Sequence, residues 1–200
     1  MAKTTNILLV GVGGQGTLLA ADVVALVGME IGLDVKKSEV HGMAQRGGSV
    51  TSHVRWAEQV HSPLIPVGEV DYFIAFERLE ALRYVDMLSP EAVALVNDYR
   101  ISPVGVSSGD GVYPSEEDQD AVYGPLLERV HYVPAIDLAQ ELGNPRVNNV
   151  VMLGALSSLL DVPEDVWLNV VSGRVPERYI ALNERAFAVG REHMRVALAR

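Results

Sequence analysis

Cysteine is absent from all 200 residues of the sequence. A chain without thiols forms no disulfide and offers no thiolate to zinc or to an iron–sulfur cluster, so any redox centre that works with it sits elsewhere. Basic charge is scarce too. Sixteen Lys and Arg face 26 Asp and Glu, a formal net charge of −10, with acids gathered at Glu116, Glu117, Asp118 and Asp120. That balance argues against nucleic acid as a partner. Long apolar runs are also missing. The stretch from Val150 to Leu160 is broken by Gly154, Ser157 and Ser158, and falls well short of the roughly 20 residues that span a bilayer. Lys3 precedes a short apolar segment, but this runs straight into glycines with no cleavage pattern behind it. The expectation is a cytoplasmic protein with no membrane partner and no metal site of its own.

What is present is ordinary for a folded domain: 48% hydrophobic and 21% charged residues, with no internal repeat or low-complexity segment. A chain of this length buries roughly 70% of its unfolded surface, and one domain over residues 1–200 is expected. Asn6 to Val10 runs on without polar–apolar alternation, the pattern of a parallel strand covered on both faces. A glycine turn follows, and from Thr17 to Met29 apolar residues recur at helical spacing. Leu33 to Val40 reads as a second strand. Val50, Val54 and Trp56 alternate with polar residues, which predicts a half-exposed strand turning at Ala57 to Gln59 and pairing with Val60 to Ile65 as a small hairpin. Strand and helix then alternate: Val70 to Phe76, Arg78 to Leu88, Ala92 to Val96.

Ser102 to Asp120, rich in Gly, Ser, Pro and acid, reads as a surface excursion. Beyond it come a strand at Val130 to Pro134 and a short helix capped by Asp137, with Gly143-Asn144-Pro145 as its stop. Asn148 to Leu160 is apolar all round, as suits a buried helix capped by Asn148. Helices opened by Pro163 and Pro176 complete the chain, the last amphipathic along Tyr179, Leu182, Ala186 and Val189. The fold class is α/β, Rossmann-like and doubly wound, a mostly parallel sheet with helices on both faces.

Gly11-Val12-Gly13-Gly14-Gln15-Gly16 satisfies the dinucleotide glycine fingerprint in its proper place, between a buried strand and a helix. Gly13 would allow a phosphate to approach the backbone, and the helix start after Gly16 would supply unpaired N–H groups. A dinucleotide site also wants an acid at the end of the second strand, where Glu39 fits only loosely beside Lys36 and Lys37. The other reading is that the glycines let the first helix pack closely on the sheet. A stand-alone nucleotide- or flavin-binding module stays open at this point.

Several ordered motifs go further. His41-Gly42-Met43-Ala44-Gln45-Arg46-Gly47-Gly48-Ser49-Val50, Ser52-His53-Val54-Arg55, Ser62-Pro63-Leu64-Ile65, Asp71 to Phe76 leading into Glu77-Arg78-Leu79-Glu80-Ala81, and Asn148-Asn149 before Met152-Leu153-Gly154-Ala155 join the glycine turn. Together, over nearly the whole chain, they resemble the small subunit of indolepyruvate:ferredoxin oxidoreductases, the counterpart of the gamma subunit or domain of 2-oxoacid:ferredoxin oxidoreductases. The resemblance implies oxidative decarboxylation of an arylpyruvate to an aryl-acetyl-CoA, with CoA as co-substrate and electrons passed to ferredoxin. Thiamine diphosphate and iron–sulfur clusters would then belong to a large partner subunit, in keeping with the missing cysteines, and self-association of the isolated chain is expected.

Carried over by position, Arg46 is the first candidate for contact with a phosphate or carboxylate, pairing with a partner carboxylate being the alternative. His41 and His53 are candidate acid–base groups, or else hydrogen-bonding residues of the loop and strand. Gly11, Gly13, Gly14, Gln15, Gly16, Gln45, Gly47 and Gly48 are the expected cofactor-facing positions. Glu77, at the end of a strand, is read as a helix cap or a solvated acid.

Overall fold

The computed structural model describes residues 4–41, 48–109 and 111–199, leaving the side chains of His41 and Val104 outside the description. Six strands form one sheet in the order β2-β3-β1-β4-β5-β6. They are β1 (Thr5–Val12), β2 (Asp34–His41), β3 (Ser49–Ala57), β4 (Val70–Ala75), β5 (Leu88–Asn97) and β6 (Val130–Val133). β1, β4, β5 and β6 pair in parallel, and β3 runs antiparallel to both β1 and β2. All strands but β3 therefore point the same way, and the mostly parallel, helix-covered sheet expected from the sequence is the sheet observed.

Period-2 alternation assigns each strand residue to a face. Ile7, Leu9, Val54, Trp56, Ile74 and Leu95 enter one apolar core with α1 (Thr17–Glu30), α5 (Ala135–Glu141), α6 (Asn148–Ser157), α7 (Glu164–Arg174) and α8 (Ile180–Leu198). Leu8, Val10, Phe73, Ala75, Ala94 and Val96 enter a smaller core with α2 (Arg78–Arg83) and α4 (Glu116–Tyr123). No helix among the described residues is long and apolar enough to cross a membrane.

α6 is buried along its whole length, and α8 lies across it at a crossing that only glycine permits. A Cβ on Gly154 would stand 2.0 Å from the Phe187 carbonyl oxygen, and one on Gly190 would stand 1.9 Å from that of Val151. The buried stripe of α8 is Asn183, Ala186, Phe187, Gly190 and Met194. It is rotated from the expected one, and Tyr179 is exposed.

The hairpin is not where the alternation placed it. Val60 to Ile65 forms no strand; β3 is instead the partner of β2 and of β1, so it lies inside the sheet and is more buried than a half-exposed strand. The 60–65 segment is pinned by side chains, Val60 N–H donating to Asp34 Oδ2 at 2.8 Å and Ile65 N–H to His53 Nδ1 at 3.2 Å. Two expected caps are also corrected. α5 begins after Pro134 and α6 after Val147, neither with a side-chain cap. Asn148 Nδ2 donates to the Pro145 carbonyl instead. α2 stops at Arg83, and β5 begins at Leu88. The excursion at 102–120 contains two helices, α3 (Val104–Ser107) and α4, the latter opened by a capping box between Ser115 and Asp118.

Candidate functional site

The chain leaves β1 toward α1 on one face and leaves the adjacent β4 toward α2 on the other. The point between two such strands, at their carboxyl ends, is where open α/β sheets leave a crevice. The glycine turn occupies it. Gly16 is the N-cap of α1 at φ 82°, a conformation costly for any residue with a Cβ, and a Cβ there would also meet Asn149 Nδ2 at 2.7 Å. Gly11 is required for another reason: a Cβ would lie 2.7 Å from Thr17 Oγ1 and 2.8 Å from Gln15 Oε1.

Gln15 locks the switch point. Its Oε1 accepts the Val12 N–H at 2.7 Å and its Nε2 donates to the Phe76 carbonyl at 2.9 Å, tying the end of β1 to the end of β4. Asn97 does the same one strand further, Nδ2 donating to the Phe76 carbonyl and Oδ1 accepting the Ala135 N–H. Gly13 N–H donates to the Gly48 carbonyl at 2.9 Å, so the turn is joined to the residue that leads into β3. The Gly14 and Gly16 N–H groups make no hydrogen bond among the described residues, and the buried Thr17 Oγ1 has no partner there. These groups, with the first-turn N–H groups of α1, suit an anion.

Two hollows flank the turn. One of about 390 Å³ lies over Gly13, Gly14, Thr17 and Val50. The other, about 550 Å³, runs from Gly14 and Gly16 to Tyr99, Ile101, Ile136 and Arg146. Arg146 is exposed, and its guanidinium makes no ion pair with a described residue. An N–H cradle, a guanidinium, an exposed aromatic ring and two isoleucines match a ligand with phosphates at one end and an apolar body at the other. Tyr99, Ile101 and Arg146 belong to no motif in the sequence. Their signal was position: the first two follow the end of a parallel strand, and the third precedes the buried helix that backs the turn.

Two carboxylates of α2 border the site. Glu77, 1% exposed, is the N-cap: Oε2 accepts the Glu80 N–H at 2.9 Å, and Oε1 accepts the Ile101 N–H at 3.0 Å and the Tyr113 hydroxyl at 2.5 Å. The cap reading of Glu77 is thus observed, and its burial excludes a solvated acid. Glu80, also buried, accepts from Ser49 Oγ at 2.5 Å, and Ser49 Oγ lies 3.0 Å from the Tyr84 hydroxyl. Burial pushes the Glu80 carboxyl above its usual range, the Ser49 hydrogen bond and Arg83 opposing and Glu77 adding to the rise. Burial and the Glu77 carboxylate likewise raise the Tyr113 phenol.

Of the other sequence candidates, Gln45, Arg46 and Gly47 lie outside the described residues, as does the side chain of His41, which ends β2 at the same edge of the sheet. Gly48 is in place beside Gly13. His53 is not brought to the crevice. It pairs with Leu8 in mid-strand, on the face away from α1, and burial lowers its pKa. Glu39 is also remote: β3 separates β2 from β1, so the acid stands two strands from the turn, roughly 10 Å at about 4.8 Å per strand. There it pairs with Lys37 at 2.6 Å. Among the described residues no group of three or more His, Asp and Glu is placed to hold a metal.

Comparison with known proteins agrees with this fold. Residues 6–193 match the family model described as pyruvate ferredoxin/flavodoxin oxidoreductase. The indolepyruvate oxidoreductase subunit IorB of Thermococcus kodakarensis is 39% identical over 94% of this chain and 95% of its own length. That of Pyrococcus horikoshii is 38% identical with the same coverage. Among solved structures, a keto/oxoacid ferredoxin oxidoreductase gamma subunit from Geobacter sulfurreducens superposes with a TM-score of 0.70 at 26% identity, covering 98% of this chain and 99% of that one. A 2-oxoglutarate:ferredoxin oxidoreductase from Magnetococcus marinus, solved with 2-oxoglutarate, coenzyme A and succinyl-CoA, gives 0.73 at 26% identity, covering 98% of this chain and 32% of that longer one.

Proposed function

Because the chain belongs to the pyruvate ferredoxin/flavodoxin oxidoreductase family, we propose that it is the small subunit of an indolepyruvate-type 2-oxoacid:ferredoxin oxidoreductase, and that its switch-point crevice forms one wall of a cleft completed by a large subunit. The reaction would convert an arylpyruvate and CoA to the aryl-acetyl-CoA and carbon dioxide, with the electrons passed to ferredoxin.

One observation carries the reading: the glycine turn sits at the topological switch point and is bonded, Gly13 to Gly48, to the base of the Gly-Arg loop. The turn and the start of β3 thereby border one crevice. Without cysteine the chain has no thiolates for an iron–sulfur cluster, so such clusters do not fit here and are assigned to the partner. Thiamine diphosphate, likewise assigned to the partner, supplies the electron sink that decarboxylation of a 2-oxoacid requires. This chain's own part is to bind and orient CoA. The turn N–H groups and Arg146 would take phosphate, Ile101 and Ile136 would cover apolar surface, and Arg46 would bring a second guanidinium from the loop. The stand-alone dinucleotide reading loses its support with Glu39 held two strands away.

The test is coexpression with the large subunit. The two chains should copurify, and the pair should reduce ferredoxin with arylpyruvate and CoA. Arg46→Ala should leave assembly intact and lower the rate by about tenfold or more, the expected cost of one charge-assisted contact. A large subunit equally active without this chain would sink the proposal.

A further inference from the structure

The crevice has two sides, and one short helix is bonded to both. On one side is the segment that leaves β5, with Tyr99 and Ile101 on the crevice and Tyr113 further along. On the other is the start of β3, where Gly48 receives the Gly13 N–H. The first side packs little apolar surface: Tyr99 is exposed, Val112 is 91% exposed, and no described side chain from 102 to 112 is buried, whereas the second is a sheet strand whose Val50 is buried. Besides the ladder of β3 to β1 and β2 and the Arg78 N–H donated to the Tyr99 carbonyl at 3.0 Å, each side has a polar attachment to an acid at the start of α2. Glu77 takes the Ile101 N–H and the Tyr113 hydroxyl, and Glu80 takes the Ser49 hydroxyl.

A buried carboxylate is an expensive way to fasten a loop, since desolvation of the charge must be offset by its hydrogen bonds. Where a sequence departs from the cheaper apolar solution, function is the usual reason. We infer that Glu77 and Glu80 are positioning residues that set the two walls of the crevice from a single turn of α2, Glu77 by holding the strap that carries Tyr99 and Ile101, Glu80 by holding Ser49 beside the Gly13 to Gly48 bond. The inference deepens the proposed function and rests on it for the identity of the ligand.

Two readouts separate the inference from that reading. In the copurified complex, Tyr113→Phe and Ser49→Ala each remove one half of a single clasp while leaving both carboxylates in place. Each should raise the KM for CoA by about tenfold, with kcat at saturating CoA within about twofold and only a modest loss of melting temperature. Ser49→Thr, which keeps the hydroxyl, should restore the wild-type KM. Hydrogen exchange on the full isolated chain should show faster exchange confined to the 99–113 segment for Tyr113→Phe and to the start of β3 for Ser49→Ala. A wild-type KM in both variants overturns the inference, as does a parallel fall in kcat and melting temperature that Ser49→Thr does not rescue. If the wild-type complex shows no dependence on CoA, the proposed function fails instead. Exchange that stays at wild-type rates in both variants then rejects the clasps by itself.

Discussion

On the face covered by α1, α6 and α8 the sheet meets apolar side chains and interlocked glycines, whereas on the face covered by α2 and α4 a smaller apolar cluster is threaded with buried charge. Apolar contact is non-directional and grows with area, so the first face supplies stability. Charged hydrogen bonds must first offset the desolvation of their charges, and what they add beyond that is direction. The second face therefore spends its polar groups where geometry is needed: Glu77 and Glu80 at the crevice, and Arg78 behind them. Arg78 Nε donates to Asp98 at 2.7 Å, Nη1 to Gln119 at 3.3 Å, and the guanidinium lies 4.3 Å from the centre of the Tyr132 ring.

The strongest way to break this division is at the α6 and α8 crossing. Gly154→Ala would drive a methyl group into the Phe187 carbonyl at 2.0 Å, and backbone cannot step aside as a side chain can. The helices must separate, which should cost about 3 kcal/mol or more and lower the melting temperature by about 10 °C. Gly190→Ala should do the same from the other side. Because one separation relieves both clashes, the double variant should lose clearly less than the sum. Chemical denaturation of the single and double variants measures this, and strict additivity would show that the two glycines do not share one contact.

Arg78→Met is the matching probe of the second face, and its effect should be smaller. The methionine keeps the apolar stem but leaves Gln119 and the Tyr132 ring without the guanidinium. Since Asp98 is 45% exposed, water takes up part of its loss. About 2 kcal/mol is expected, with faster hydrogen exchange in α4 and none in α6. A loss as large as that of Gly154→Ala would mean that the charged face also bears the fold's stability.

The same contrast explains what the sequence disclosed. α1, α6 and the mainly apolar runs of β1 and β4 are patterned at their own period, and such patterns identify an element without reference to its neighbours. The glycine turn was legible for the same reason, lying between two such elements. What alternation does not encode is which strand lies alongside. Val50, Val54 and Trp56 mark a strand whether it pairs with 60–65 or is inserted between β1 and β2, and only the long-range register settles it. The crevice was half legible: its glycines carry a motif, whereas Tyr99, Ile101 and Arg146 come together through the ends of β5 and α6 with no spacing in common. Glu80 is the clearest miss. In sequence it is one acid among charged helix residues, and its role exists only because β3 brings Ser49 within 2.5 Å.

His53 offers the smallest and most discriminating test of the two-face view, because it lies on the polar face yet away from the crevice. Burial lowers its pKa, so the folded chain prefers the neutral ring, whose Nδ1 accepts the Ile65 N–H. An unfolded histidine takes up its proton near pH 6.5. The stability this residue contributes is thus complete above that pH and drains away as the pH falls through the unfolded and then the folded pKa. His53→Asn keeps an acceptor but does not titrate. Its melting temperature should therefore fall less than that of the wild type on acidification from about pH 7.5 to about pH 5.5. The difference should be small, because the ring is only half-buried, and part of the slope should persist because His131 in β6 is lowered by burial in the same way. In the copurified complex kcat should stay within about twofold, whereas removal of a general acid or base costs roughly a hundredfold or more. A collapse of kcat with an unchanged stability profile would move His53 from the packing of β3 to the chemistry, and would extend the site beyond the switch point.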